Sequence, residues 1–151
     1  MTSAPTIRMA VPGDAQRLAA IALAAYAKYV PRLGREPAPM RADFPAAIAA
    51  GQVVVIEHAG AIQGYLVAWA EPDAYFLDNI AVDPAHASNG LGRALIGHAV
   101  AEARRRGLPA LRLHTNVAMT ENIAMYRHLG FVETHRGTEK GFHRVYLRRE
   151  L

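Results

Sequence analysis

Apolar side chains recur along the chain at two spacings, and these spacings predict its elements. Dense or alternating apolar runs predict strands over Thr6–Met9, Val53–His58, Ile62–Trp69, Phe76–Val82, Leu111–Thr115, Phe131–Thr134 and Arg144–Leu147. Apolar positions three and four apart predict helices over Ala15 to about Tyr29, Gly90–Arg106 and Thr120–Leu129, with a short helix over Phe44–Ala50. This order predicts an α/β fold (an α+β mixed sheet) of about seven strands flanked by about four helices, in a single domain over residues 1–151.

The breaks between elements give further expectations. Asp14 is expected to cap the first helix, and Pro31 is expected to end it. Residues 31–45 hold four prolines and are expected to form no long regular element. The strand–helix–strand unit from Phe76 to Thr115 is expected to be a right-handed parallel crossover. Its helix is predicted to bury a stripe made of Leu91, Leu95, Ile96, Ala99, Val100 and Ala103.

The composition narrows the class of protein. The chain has 151 residues, of which 52% are hydrophobic and 20% are charged, as is typical of a soluble globular protein. It has no apolar run of about 18 residues and no apolar leader within Met1–Met9, so we expect a cytoplasmic protein with no membrane partner. The absence of cysteine excludes disulfides, zinc–thiolate sites and cysteine nucleophiles. His98 and Glu102 share a helix face but lack a suitably spaced third ligand, so no metal site is predicted.

The formal charge of +4, from 17 basic and 13 acidic residues, has two interpretations. It is compatible with a phosphate-rich ligand or a nucleic acid, and it is equally compatible with an ordinary solvated surface. No basic cluster resembles a nucleic-acid motif, and Arg104, Arg105 and Arg106 lie at a predicted helix end, where cations suit the helix dipole. We therefore expect no nucleic-acid partner, although a basic nucleic-acid-associated protein stays open as an alternative.

The segment with the clearest chemistry runs from Ile80 to Leu95, where a buried strand enters a short loop that opens a helix. Gly90 and Gly92 stand at the start of that helix. Unpaired first-turn N–H groups and the helix dipole make such a position suited to a pyrophosphate. The dinucleotide fingerprint fails because Leu95 stands where a third glycine is needed, and no Gly-Lys-Ser/Thr of a P-loop follows.

Two motifs resemble those of the GNAT superfamily of acetyl-CoA-dependent N-acetyltransferases. The Gly90-Leu91-Gly92 run is similar to the family's coenzyme A loop, although Ala87 stands where the family has arginine or glutamine. The later run Tyr126-Arg127-His128-Leu129-Gly130-Phe131 resembles the end of another family motif, although Met119 stands at its usual asparagine. The resemblance implies a GNAT-like fold, acetyl-CoA as cosubstrate, and a homodimer as a common assembly.

The resemblance also implies roles for individual residues. The pantetheine would lie along the strand beside Ile80, Ala81 and Val82. The pyrophosphate would be held by Ala87, Ser88, Asn89, Gly90, Leu91, Gly92 and Arg93. Tyr126 would be the general acid for the departing thiolate, and a backbone N–H near Val82 would polarise the thioester carbonyl. Asn122 shares a helix face with Tyr126, and its spacing suggests that it takes over the missing polar role at Met119.

The acceptor is expected to be a primary amine, of a small molecule or of a peptide or protein. Asp78, a carboxylate in an apolar strand, is a candidate base; the alternative that it is merely satisfied by backbone or arginine partners stays open. The expected substrate site lies where the first helix, the proline-rich loop and the last strands meet, and its candidates are Tyr26, Tyr29, Arg32, Arg35, Glu36 and Met40. A non-catalytic acyl-CoA-binding or sensing domain of the same fold is the other alternative.

Overall fold

The computed structural model describes residues 4–87 and 89–151, and within them seven strands form one sheet. The strands are β1 (Thr6–Met9), β2 (Val53–His58), β3 (Ala61–Ala70), β4 (Tyr75–Val82), β5 (Ala110–Asn116), β6 (Val132–Glu139) and β7 (Phe142–Glu150). Their order is β1-β2-β3-β4-β5-β7-β6, with β4 and β5 parallel and the other neighbours antiparallel. The predicted mixed sheet is confirmed. Ser88, expected in the pyrophosphate loop, lies outside the described residues.

Helices pack on the two faces of this sheet. Over the described ranges they are α1 (Ala15–Tyr26), α2 (Val30–Leu33), α3 (Phe44–Ala49), α4 (Leu91–Arg105) and α5 (Thr120–His128). Every residue of the stripe predicted for α4 is buried, in one apolar cluster with Leu111, Leu113, Val145 and Leu147. On the other face, α1 and α3 bury Leu18, Ile21 and Phe44 against β2 and β3. None of the helices in the described parts of the chain is long and apolar enough to cross a membrane.

The first helical region differs from the expectations in two ways. Asp14 is the N-cap residue of α1 as predicted, but its side chain caps no N–H of that helix, because its carboxylate accepts hydrogen bonds from the Val11 N–H and the Arg8 guanidinium. Pro31 does not end the helical path, which continues through a 3-10 turn at Ala27–Tyr29 into α2. Pro31 sits in the first turn of α2, where its missing N–H costs no intrahelical hydrogen bond.

The last hairpin is longer than predicted. Strands β6 and β7 extend beyond the expected runs and turn at Lys140 and Gly141, whose φ values are +52° and +80°. Gly137 lies inside β6, paired with Arg144. Nearly all of β6 is exposed. Its charged and polar residues therefore give no alternation of apolar positions from which the full strand could be predicted.

The feature that creates the site is the separation of β4 from β5. The two strands pair only at Tyr75 with Leu111 and at Phe76 with Arg112. Directly after this point β4 has a β-bulge, because Asp78 is the extra residue between Leu77, paired with Ala68, and Asn79, paired with Val67. Bulges bend a strand and re-aim its side chains. The remainder of β4 therefore leaves the β5 side of the sheet and opens a cleft.

Candidate active site

A cavity of about 330 Å³ occupies the cleft between β4 and β5. Its walls come from both strands, the end of α1, the proline-rich loop, α5 and the β6–β7 hairpin. The lining residues are Tyr26, Leu33, Ala38, Pro39, Ala42, Leu77, Asp78, Asn79, Ile80, Leu113, His114, Thr115, Asn116, Met119, Asn122, Tyr126, Glu139, Lys140, Phe142 and Arg144. The cavity thus brings Tyr126, Asp78, Ile80, Asn122 and Tyr26 together, as the sequence predicted for one site.

Tyr126 reaches this cavity from α5, and its side chain is buried. Its ring packs edge-on against Phe131 at a centroid distance of 5.7 Å, and the Phe131 N–H donates to the Tyr126 carbonyl oxygen at 3.0 Å. Burial, with a smaller contribution from Tyr29, raises the pKa of the Tyr126 hydroxyl above its ordinary value. The hydroxyl stays protonated near neutral pH, and it donates to no other residue within the described ranges.

Asn122 lies half-buried on the same helix and also lines the cavity. Its Nδ2 is 4.0 Å from the sulfur of Met119, which also accepts a hydrogen bond from the Thr115 hydroxyl at 3.3 Å. Met119 therefore occupies the space between Asn122 and β5. The Asn122 amide and the Met119 sulfur thus lie side by side at the cavity.

Asp78 stands at the cavity as an exposed bulge residue, although its strand neighbours are buried. Although the residue has a solvent-facing side, the surrounding protein partly desolvates the carboxyl group and raises its pKa above the ordinary value. The buried polar residue of the strand is Asn79, whose Oδ1 accepts a hydrogen bond of 2.8 Å from the Tyr65 hydroxyl. Asp78 forms no ion pair with another described residue, and its oxygens are available to a ligand.

The end of β4 presents one free edge toward the cleft. Ile80, Ala81 and Val82 pair with Leu66, Tyr65 and Gly64 of β3, respectively, but β5 contributes no partner to them in the described structure. The Tyr26 hydroxyl donates to the Ile80 carbonyl oxygen at 2.8 Å. Such an edge has backbone groups that can pair with an extended ligand, as in strand addition.

The loop after β4 leads into the N-terminus of α4, where Gly92 lies next to Val82. The predicted cofactor residues Ala81, Val82, Ala87 and 89–93 are not among the residues that line the cavity. Asp83 fixes the loop, because its carboxylate accepts from the Ala85 N–H at 3.0 Å and from Arg17 at 2.8 Å. Gly90 then adopts φ +73° as the residue before α4. The first-turn N–H groups of Leu91, Gly92 and Arg93 have no intrahelical acceptor, and such a helix end is suited to an anion.

Gly92, in the first turn of α4, has space around its Cα. A Cβ at this position would meet only the Met125 sulfur at 3.9 Å and a Val82 methyl at 4.0 Å, both ordinary contacts. The protein itself therefore does not require glycine at position 92. Glycine leaves the backbone accessible to a molecule lying between α4 and the end of β4.

Of the six expected substrate residues Tyr26 lines the cavity, whereas Tyr29, Arg32, Arg35, Glu36 and Met40 do not. Tyr29 is 1% exposed and packs in the α1 cluster at 6.2 Å from the Tyr26 ring. Arg32 pairs with Glu121 of α5 at 2.8 Å. Arg35 stacks on Phe142 at 3.7 Å and donates to the Lys140 carbonyl oxygen at 3.4 Å. Arg32 thus connects α2 to α5, and Arg35 connects the segment after α2 to the β6–β7 turn. Leu33 and Pro39, from the same part of the chain, line the cavity.

The opposite wall carries a polar side chain, His114, that no sequence motif marked. His114 of β5 lies between the rings of Phe76 at 5.5 Å and Tyr146 at 5.7 Å. Burial, followed by the nearby charges of Arg144 and Arg112, lowers the pKa of His114 to about 4. Arg144 in turn pairs with Glu139 at 2.7 Å. The available signal was strand alternation, which sets His114 on the face opposite buried Leu113.

Comparisons with known proteins agree with this architecture. The model of the Acetyltransferase (GNAT) family matches residues 17–131. The ribosomal protein bS18-alanine N-acetyltransferase of Escherichia coli (strain K12) is 38% identical over 74 residues, 49% of this chain and 50% of that protein. Its counterpart from Salmonella typhimurium (strain LT2) is 43% identical over 61 residues, 40% of this chain and 41% of that protein. The chain therefore matches about half the length, or less, of these curated relatives.

Solved structures are similar over nearly the whole chain. The PaiA N-acetyltransferase from Thermoplasma acidophilum, solved in complex with coenzyme A, has a TM-score of 0.83 at 13% identity and covers 99% of this chain and 100% of its own. The ribosomal-protein-S18-alanine N-acetyltransferase from Escherichia coli has a TM-score of 0.73 at 24% identity, covering 97% and 94%. At these identities the likeness establishes the shared fold.

Proposed function

The chain belongs to the Acetyltransferase (GNAT) family, and from this premise we propose that it transfers an acetyl group from acetyl-CoA directly to a primary amine. One observation carries the proposal. Ile80, on the unpaired edge of β4, and Tyr126 line one cavity, and Gly92 in the first turn of α4 lies next to Val82 at the end of the same strand. Use of acetyl-CoA requires an anion site for the pyrophosphate, an extended site for the pantetheine and a proton donor for the departing thiolate.

The described residues fit the cosubstrate at each end. Ile80, Ala81 and Val82 would pair with the pantetheine amides, because that edge of β4 lacks a β5 partner. The pyrophosphate would meet the backbone of residues 87 and 89–93, in the region that the helix dipole makes positive. When bound, acetyl-CoA supplies the activated acetyl group and a thiolate leaving group.

Tyr126 is the proposed general acid. An unperturbed tyrosine, with a pKa of about 10, is a weaker acid than a thiol of about 8.5, so full proton transfer to the thiolate costs about 2 kcal/mol. Burial raises the pKa of Tyr126 and increases this cost. Tyr126 therefore acts by donating a hydrogen bond to the sulfur as negative charge develops, with the proton shared rather than released beforehand.

Asp78 is the proposed base that takes the proton from the attacking amine. Its position on the bulge sets the carboxyl group at the cavity, and its raised pKa makes it a better proton acceptor than an ordinary aspartate. The amine must lose a proton because ammonium groups, with pKa values of about 8 to 10, are not nucleophilic. Tyr26 acts as a positioning residue, since its hydroxyl is committed to the Ile80 carbonyl.

The acceptor is proposed to be an amine on a peptide or protein. The curated relatives are named for an alanine of a ribosomal protein, which supports this class. Their similarity covers only about half of this chain, so the identity of the acceptor does not follow from theirs.

The test is thiol release from acetyl-CoA with a panel of alanine-derived, lysine-derived and polyamine acceptors. We expect release with at least one acceptor, and a fall of at least tenfold in kcat for Tyr126→Phe with unchanged coenzyme A affinity. Tyr75→Phe is the matched control, because Tyr75 is also buried but lies outside the cavity lining. Coenzyme A binding without release for every amine would instead favour a sensing domain, and equal rates for both variants would remove Tyr126 as the acid.

A further inference from the structure

Beyond the cavity, one face of β5, β6 and β7 is not covered by the helices of the described chain. The helices α4 and α5 pack on the face that carries Leu113 and Leu147, while the cluster around α1 and α3 takes its strand residues from β2, β3 and β4. Strand alternation turns another set of side chains to the uncovered face, and these are half-buried. They are Arg112, His114, Tyr146 and Arg148.

A row of rings crosses this face and starts inside the cavity. His114 lines the cavity wall, and its ring lies 5.7 Å from that of Tyr146 on β7. The Tyr146 ring stacks on His135 of β6, with centroids 4.2 Å apart and planes 7° apart. His135 is exposed, and neither it nor Tyr146 lines the cavity. The rings form a continuous path from the reaction site to the outer edge of the sheet.

Resting on the acetyl transfer proposed above, we propose that the acceptor is a polypeptide whose residues after the reacting amine lie across His114, Tyr146 and His135. The path from β5 to β6 crosses two strand spacings of about 4.8 Å each. An extended chain advances about 3.3 Å per residue, so about three residues span it. A small amine that fills the cavity does not reach Tyr146 or His135.

The charges of this face favour a polypeptide over a nucleic acid. Arg112 is paired with Glu71 and Arg148 with Glu150, each within 2.7 Å. Arginines that are already paired with carboxylates neutralise few phosphates, so they release few counterions from a nucleic acid and add little to its binding. His135 and Tyr146 also use one ring face on each other, which removes a stacking surface from an incoming base. Ring edges and paired guanidinium groups are instead suited to peptide amides and apolar side chains.

The experiment compares acceptors of two lengths with the same first residue. The short acceptor is alanine amide, and the long one is a pool of octapeptides that begin with alanine and are randomised thereafter. Thiol release gives kcat/KM for each, and the anisotropy of the octapeptide pool, labelled at its C-terminus, gives binding to the coenzyme A-loaded protein. The variants are His135→Ala and Tyr146→Leu. His128→Ala, an exposed histidine on α5, is the matched control.

We expect the wild type to use the octapeptides at least tenfold more efficiently than alanine amide. His135→Ala and Tyr146→Leu should each remove most of this preference and weaken binding of the pool, whereas His128→Ala should keep both. Equal efficiency for both lengths, or equal peptide binding by all variants, overturns the proposal. If the wild type binds a labelled oligonucleotide and the same two substitutions abolish that binding, the proposal is overturned in favour of a nucleic acid. If neither acceptor reacts, the proposed acetyl transfer to an alanine amine fails, while peptide binding still decides the role of the row.

Discussion

The hydroxyl of Tyr26 donates a hydrogen bond of 2.8 Å to the carbonyl oxygen of Ile80, and this bond joins the end of α1 to the free end of β4. Tyr26 is buried, and burial raises its pKa well above the ordinary value, so the hydroxyl is a permanent donor. The bond matters because β5 does not support this part of β4. The wall that would contact the pantetheine is therefore held from the α1 side.

Tyr26→Phe should destabilise the protein by about 1 to 2 kcal/mol, because it leaves the buried Ile80 carbonyl without this donor. Denaturant unfolding without ligand measures the effect. Tyr75→Phe is the control, since the Tyr75 hydroxyl bonds to no other residue among those described. Equal losses of stability in the two variants would mean that the bond to Ile80 contributes nothing specific.

Periodicity was sufficient to predict most elements. The buried stripe of α4, from Leu91 to Ala103, repeats at helical spacing, and Val53–His58 is dense in β-branched residues. Both signals are local, and both elements are found where the sequence places them. The exposed outer half of β6 gives no such signal, because the residues after Val132 pack on no core.

The candidate site was predictable only where a motif marked it. Gly90 and Tyr126 stand in recognisable runs, but the cavity depends on the bulge at Asp78, which a count of apolar positions does not reveal. His114 enters the site only because the bulged strand leaves β5. Arg32 was expected at the substrate, yet its charge is used by Glu121, a partner 89 positions away that no local pattern identifies.

Asp78→Asn tests the proposed base through the pH dependence of kcat/KM. The pKa of Asp78 is raised, so in the wild type this carboxylate takes up its proton at a higher pH than an ordinary aspartate of about 3.9. Activity should therefore be lost as the pH falls through that raised value. The variant should lose this acidic limb and fall by about 10²-fold or more on the plateau.

The control for this substitution is Asp73→Asn. Asp73 is an exposed aspartate before β4 that does not line the cavity. It should keep both the limb and the plateau of the wild type. An unaltered acidic limb in Asp78→Asn would assign the base to another group or to water.

His114 should make the stability of the protein depend on pH. Its pKa is lowered from 6.5 to about 4 in the folded state, so between these values the unfolded chain binds more protons than the folded chain. The free energy of unfolding should therefore be largest above pH 6.5 and should fall as the pH drops toward 4. His114→Phe keeps a ring between Phe76 and Tyr146 but cannot titrate, and should flatten this dependence.

Thermal or denaturant unfolding at several pH values between 4 and 7 measures the effect. The matched control is His128→Phe, at an exposed position on α5, which should keep the slope of the wild type. A slope for His114→Phe as steep as that of the wild type would show that other groups cause the acid sensitivity.

Two glycines of the α4 region should respond in opposite directions to alanine. Gly90 has φ +73°, a conformation in which a side chain costs about 1 kcal/mol or more, so Gly90→Ala should destabilise the protein. Gly97 is exposed inside α4, and a Cβ there meets nothing within 4 Å. Gly97→Ala should therefore stabilise the protein by about 0.5 to 1 kcal/mol, because alanine loses less backbone entropy in a helix.

The same pair separates a local helix effect from a role in binding. Gly90 is the residue before α4, and its φ sets how the first turn and its N–H groups are oriented relative to the loop. Gly97 lies about two turns further along the helix surface. Gly90→Ala should also weaken coenzyme A binding, measured by titration calorimetry, and Gly97→Ala should not. Full-strength binding by a folded Gly90→Ala protein would mean that the pyrophosphate does not depend on the loop geometry at α4, and would move the anion site elsewhere.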